Sequence, residues 1–242
     1  MSRYNFYALL LIALLSQTSC TKSTSASDIT PTSSEAKITP GVYEAKLDDL
    51  LAAHDFEALD SAVIDVKDGE TASRALKWLE LKEGHDGSSY IGFLFSSLLW
   101  RAAVSVPEPK STEFKNQAAE RFLEAQWEIE TEGFQCVDSS APKARAEFID
   151  NKLLPISVYY FKLPDAQRHE LQKHIITYLV LGFQNRTNDT WLCQGGKQAN
   201  AMSGFVPYKN WREKRHAALD SIIDEAKDIH PPQYFDDKYR MQ

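Results

Sequence analysis

The chain has 242 residues, 34 acidic against 27 basic side chains for a net charge of −7, and 43% hydrophobic residues. That length suffices for a sizeable core. The acidic balance argues against nucleic acid, whose binding leans on clustered Lys and Arg, and disfavours electrostatic docking on anionic lipid.

The first forty residues concern location. Arg3 is the only charge before Lys22, and Ala8 to Leu15 read ALLLIALL. A short positive stretch and a brief apolar core ending in Ser19-Cys20 resembles a bacterial lipoprotein signal peptide, in which the cysteine after the cleavage point is acylated. Gln17 stands where that family usually has an aliphatic residue. The resemblance implies a signal peptide over residues 1–19 and lipidation of Cys20. Thr21 in place of Asp implies, by the same resemblance, the outer membrane, with the protein facing the periplasm. From Cys20 to Gly41, Ser and Thr supply ten of twenty-two residues, with Pro31 and Pro40 among them. Such a segment buries too little apolar surface to offset its ordering entropy, so residues 20–41 are expected to be a flexible tether reaching roughly 25 Å.

Residues 42–242 are expected to form one all-α domain of seven to nine helices, as a bundle or a layered array, because apolar residues recur at helical spacing nearly throughout. Tyr43, Leu47, Leu50 and Leu51 share one face; Phe56, Leu59, Val63 and Val66 share another after a break near Asp55. Leu76, Trp78 and Leu79 sit on a short helix ended by Gly84 and Gly87. The pairing of helices up to Val106 loosely resembles tetratricopeptide-type repeats, without a repeated consensus. Tyr90 to Val106 is apolar around most of its circumference, which predicts a central buried helix ended by Pro107 and Pro109. Ser111 to Glu132 predicts a long helix with Phe114, Ala118, Phe122, Ala125 and Ile129 inward. Pro142 opens the next helix as an N1 proline, and Pro155 kinks or stops it. Pro164 and Asp165 start another, and the last begins near Asn210, capped by that side chain with Glu213 reaching back.

Three patterns come close to a catalytic or metal motif. His169 and His174 are five apart, whereas two ligands on one helix face stand four apart, so no zinc site is expected. Glu213 and His216 have the three-residue spacing of a di-iron helix, but the second pair is missing. Glu120, Glu124 and Glu128 form an acidic ladder opposite the apolar stripe, with Trp127 along its edge, and so are expected on the solvated face. An exposed Trp beside charge suits a protein interface, which makes Trp127, Glu124 and Glu128 candidate partner contacts. No catalytic residue, metal or cofactor is expected.

Phe183 to Tyr208 lacks clear periodicity, and long irregular segments in compact domains are often functional. Cys136 and Cys193 remain once Cys20 is assigned to lipid, and in an oxidising compartment they are expected to form a disulfide. Arg186, Asn188, Asp189, Trp191 and Gln194 combine one aromatic anchor with several hydrogen-bonding groups, the makeup of a recognition surface; equally, Trp191 could anchor the loop to the core. The reading that emerges is a non-enzymatic envelope lipoprotein binding a periplasmic or delivered protein, as scaffold or as inhibitor or immunity protein. The alternative is a hydrolase of peptidoglycan or another envelope polymer, which would need Glu124, Glu128, Asp189 and His174 to converge. A core pocket for a small molecule would read as ordinary core.

Overall fold

The computed structural model describes residues 41–86, 88–182, 188–194 and 204–226. The expected signal peptide and tether, with Cys20, lie outside them, apart from Gly41. The described residues are all-α, as expected. The helices are α1 (Val42–Ala52), α2 (Phe56–Ile64), α3 (Gly69–Asp86), α4 (Ser89–Ser105) and α5 (Lys110–Glu132), followed by a 3-10 turn at Gly133–Gln135. Then come α6 (Ser140–Lys152), α7 (Leu154–Lys162), α8 (Asp165–Gly182), the single turn α9 (Thr190–Cys193) and α10 (Tyr208–Glu225). No helix among them is long and apolar enough to cross a membrane.

The break at Asp55 is real: its side chain accepts from the Ala58 N–H at 3.1 Å and caps α2. The helix around Trp78 is longer than expected, running from Gly69 through Gly84. Pro155 stands in the first turn of α7, where its missing N–H costs nothing, so the chain makes two helices rather than one kinked one. Two local expectations are corrected. Helix α6 starts at Ser140, whose N–H donates to the Asp138 carboxylate at 2.9 Å, so Pro142 falls two positions into the helix instead of opening it. Helix α10 starts at Tyr208 with no side-chain cap, so Asn210 and Glu213 do not form the expected capping box.

The centre is the antiparallel pair α4 and α5. Along α4, every residue from Ser89 to Ser96 is buried. The two helices approach closely because small residues meet: a Cβ on Gly92 would lie 3.2 Å from that of Ala125. One turn along, the buried Ser96 hydroxyl donates to the Ala118 carbonyl at 2.8 Å. Helices α2 and α3 cover α4 from one side, while α6, α7, α8 and α10 all pack on α5. So α5 is enclosed on most of its circumference.

That enclosure corrects the solvated-face expectation for the acidic ladder. Glu124 is 1% exposed and Glu128 is 3% exposed, and Glu132, one turn further on, is buried too. Buried carboxylates require counter-charges, since desolvation otherwise outweighs any gain. Arg121 pairs with Glu124 and lies 3.0 Å from Glu83 of α3, and Arg215 of α10 pairs with Glu132. Arg121 also lies over the Phe95 ring, 5.4 Å from its centroid. The ladder is thus an interior ionic seam stapling α3 and α10 to α5.

Candidate functional site

Cys136 and Cys193 form the expected disulfide, with Cα atoms 5.0 Å apart. It divides two aromatic regions. On the Cys193 side, Asp189 holds α9 and α4 together. One carboxylate oxygen accepts from the Leu192 N–H at 3.0 Å. The other accepts from the Ser89 N–H at 3.1 Å and the Ser89 hydroxyl at 2.8 Å. Its backbone N–H donates to Gln135 Oε1 at 3.0 Å. One buried carboxylate therefore satisfies the orphan N–H groups of two helix starts.

Trp191 follows in α9 and is only 3% exposed. Its ring meets Tyr90, Phe93 and Phe148 at centroid distances of 5.2, 6.4 and 6.1 Å. Arg145 of α6 lies 4.5 Å above it and donates from Nε to the Trp191 carbonyl at 2.8 Å. Burial pulls the Arg145 pKa down from its ordinary value, with Asp189 opposing the shift. Trp191 and Asp189 are thus structural, and the recognition surface expected there is corrected: the loop is anchored to the core through its aromatic residue. Of its other expected contacts, Asn188 is exposed and Gln194 half-buried, while Arg186 lies outside the described residues.

The residues named for the hydrolase alternative have other engagements or positions. Glu124 is paired with Arg121 inside the seam, Asp189 is engaged at two helix starts, and His174 stands exposed on α8. Among the described residues no group of three or more His, Cys, Asp and Glu is placed to hold a metal ion.

The Cys136 side is different. Here the end of α5, the 3-10 turn, the start of α6 and the first turns of α10 enclose an open groove of about 670 Å³. Its apolar lining comes from Trp127, Ile129, Phe134, Pro142, Val206 and Trp211, with Cys136 beside them. The floor is held at several points. Cys136 and Phe205 form an isolated antiparallel bridge. The Val206 N–H donates to the Gln135 carbonyl at 2.7 Å, and the Val137 N–H to the Gly204 carbonyl at 3.1 Å. Gly133 allows α5 and α6 to meet there, since a Cβ would come within 2.8 Å of Pro142.

Of the lining side chains, Phe134 is 39% exposed and Trp211 is buried; Tyr208 and Val137, outside the lining, are exposed as well. Tyr208 packs edge-on against Trp211 at 5.0 Å. Trp127 is half-buried, packed on one side against Ile176, Ile222 and Ala226 of the core. Lys143 and Lys214 stand at the rim with Glu130, and Lys214 Nζ lies 5.9 Å from the Phe134 ring centroid. Of the expected partner contacts among the described residues, only Trp127 lines this groove. Phe134, Trp211 and the two lysines were missed, though the cation-rich run Lys209 to Arg215 in an acidic chain was a signal for the α10 wall.

No family model, curated protein or solved structure matches this chain.

Proposed function

We propose that this protein is a non-enzymatic, lipid-anchored envelope protein that binds a protein partner in the groove between α5, α6 and α10. The partner is periplasmic or delivered from outside, and the protein acts on it as scaffold or as inhibitor or immunity protein. The observation that carries this reading is a rigidly braced groove with half-exposed aromatic side chains. Aromatic residues cluster at protein interfaces because they bury large area with few rotors to freeze. Glu130 is the one carboxylate among the described residues lining the groove, which is one short of the facing pair that glycan hydrolysis uses. Acylation of Cys20 and a tether over residues 20–41 would present the domain close to a membrane, in keeping with the outer-membrane location the leader implies.

Affinity capture from an envelope extract tests the binding reading, with the full chain and its Phe134→Ala variant as parallel baits. A dominant protein retained by the parent and lost from the variant is expected. Equal retention by both baits removes the groove from the assignment. A clickable fatty acid fed to cells should label the parent chain and not Cys20→Ala; equal labelling of both would refute the anchor.

A further inference from the structure

We infer that the groove recognises an acidic peptide segment of its partner, one bulky apolar side chain flanked on both sides by Asp or Glu. This rests on the reading of the groove as the partner site and names the chemistry it selects.

The first ground is shape and lining. Trp127, Phe134, Pro142 and Trp211 offer a concave apolar surface, and a volume of about 670 Å³ lies within the range of sites that engulf a ligand group. A single large side chain can seat there as an anchor, leaving its neighbours in sequence at the rim.

The second ground is charge, which runs against the rest of the molecule. The chain carries −7, yet the groove lining holds two lysines and one glutamate. The lysines come from different walls, Lys143 from α6 and Lys214 from α10, and both are exposed. Neither makes an ion pair among the described residues. The start of α10 adds exposed Lys209 and half-buried Arg212 against Glu213. His216, on the same helix, is held below its ordinary pKa by burial first and then by Arg212 and Arg215, with Asp220 opposing. In a chain this acidic, most acidic partners are repelled at long range, so a local basic rim sets register and selects the segment that docks. Cations on two walls favour acids on both sides of the anchor.

The test is a displayed library of random dodecapeptides panned on the immobilised full chain, with Lys143→Glu/Lys214→Glu and Phe134→Ala chains as counter-baits. Enriched sequences should place Trp, Phe or Leu between acidic residues. A synthetic peptide of the consensus should bind the double variant at least about tenfold more weakly than the parent. Both lysines are exposed, so the variant should fold; if its thermal midpoint falls, Lys143→Gln/Lys214→Gln takes its place. Enriched peptides without excess acid, or whose affinity ignores both lysines, overturn this inference and leave the protein-binding reading standing. Failure of any peptide to enrich, together with a soluble muropeptide that binds the parent and not Phe134→Ala, overturns both.

Discussion

Two aromatic regions lie on either side of one disulfide and have opposite fates. Around Cys193, Trp191 sits beside Asp189 and Arg145, and both are consumed by the fold: Asp189 closes two helix starts, and Arg145 covers the ring and binds its carbonyl. Around Cys136, Trp127 and Phe134 line a groove together with two exposed lysines. In sequence the first region looks like the interface, because it combines a tryptophan with hydrogen-bonding residues in an aperiodic segment. The difference teaches that polar groups around an aromatic mark a recognition surface only when the chain itself does not use them. Where they are spent on helix ends, the same composition marks an internal hinge-pin.

Trp191→Ala is expected to have the largest effect. It deletes three ring contacts and the surface under Arg145, and should cost about 3–5 kcal/mol in urea denaturation. Under conditions where the variant is fully folded, its affinity for a captured partner should equal that of the parent. A loss of affinity there would break the comparison and return Trp191 to the interface.

Removing the disulfide, as Cys136→Ser/Cys193→Ser, acts on both regions at once. The bridge joins residues 57 apart in sequence, so its loss should cost about 4 kcal/mol in the chain-entropy model. Since Cys136 lies in the groove, affinity should fall along with stability. A variant that loses stability but holds affinity would show that the backbone bonds between residues 135–137 and 204–206 keep the groove shaped alone.

Much of this architecture is legible in the residues, and the illegible part has a physical cause. The periodicity from Tyr43 onward carries the all-α class because each helix needs only its own stripe to declare itself. The uninterrupted apolar run at Tyr90 marks the central helix for the same reason. The burial of Glu124 and Glu128 is not declared by α5, whose stripe implies one buried face. It depends on helices that arrive from several directions, just as the burial of Glu132 one turn on depends on Arg215, over eighty residues later in the chain. The groove is harder still. Trp127 is expected from its own helix as a partner contact, but nothing in its segment points to Phe134 or Trp211, and only the packing of α6 and α10 on the end of α5 brings the three to a common space.

A smaller effect separates the interior from the groove by pH. Burial holds the Glu83 carboxyl well above its ordinary 4.5, with Arg121 opposing and Glu124 and Glu128 reinforcing the shift. The folded state therefore keeps a proton that the unfolded chain releases near 4.5. This contribution to stability is complete below that value and is lost as pH rises through the folded pKa. Glu44 behaves in the opposite sense: hydrogen bonds from Arg74 hold it at about 2, so its contribution is present above 4.5 and lost as pH falls toward 2. Glu83→Gln should flatten the loss of stability on the alkaline side of 4.5 and leave the acid-side loss in place. Partner affinity should not move, because Glu83 lies in the seam and not in the groove. A pH slope unchanged by the substitution would mean that another member of the seam carries the proton.

Phe134→Ala should have the smallest effect on the fold and a clear one on binding. The ring is substantially exposed, so its removal should change the unfolding free energy by no more than about 0.5 kcal/mol. It also takes away the aromatic surface beside Lys214 and one wall of the groove. If that wall receives an anchor side chain, affinity should drop by about tenfold, the order expected when a contacting aromatic is truncated. Set beside Trp191→Ala, the pair makes a double dissociation: one variant loses stability and keeps affinity, the other keeps stability and loses affinity. The decisive measurement is therefore both quantities on both variants. Should Phe134→Ala destabilise as Trp191→Ala does while binding normally, the two sides of the disulfide would be alike, and the partner would have to be sought on another face.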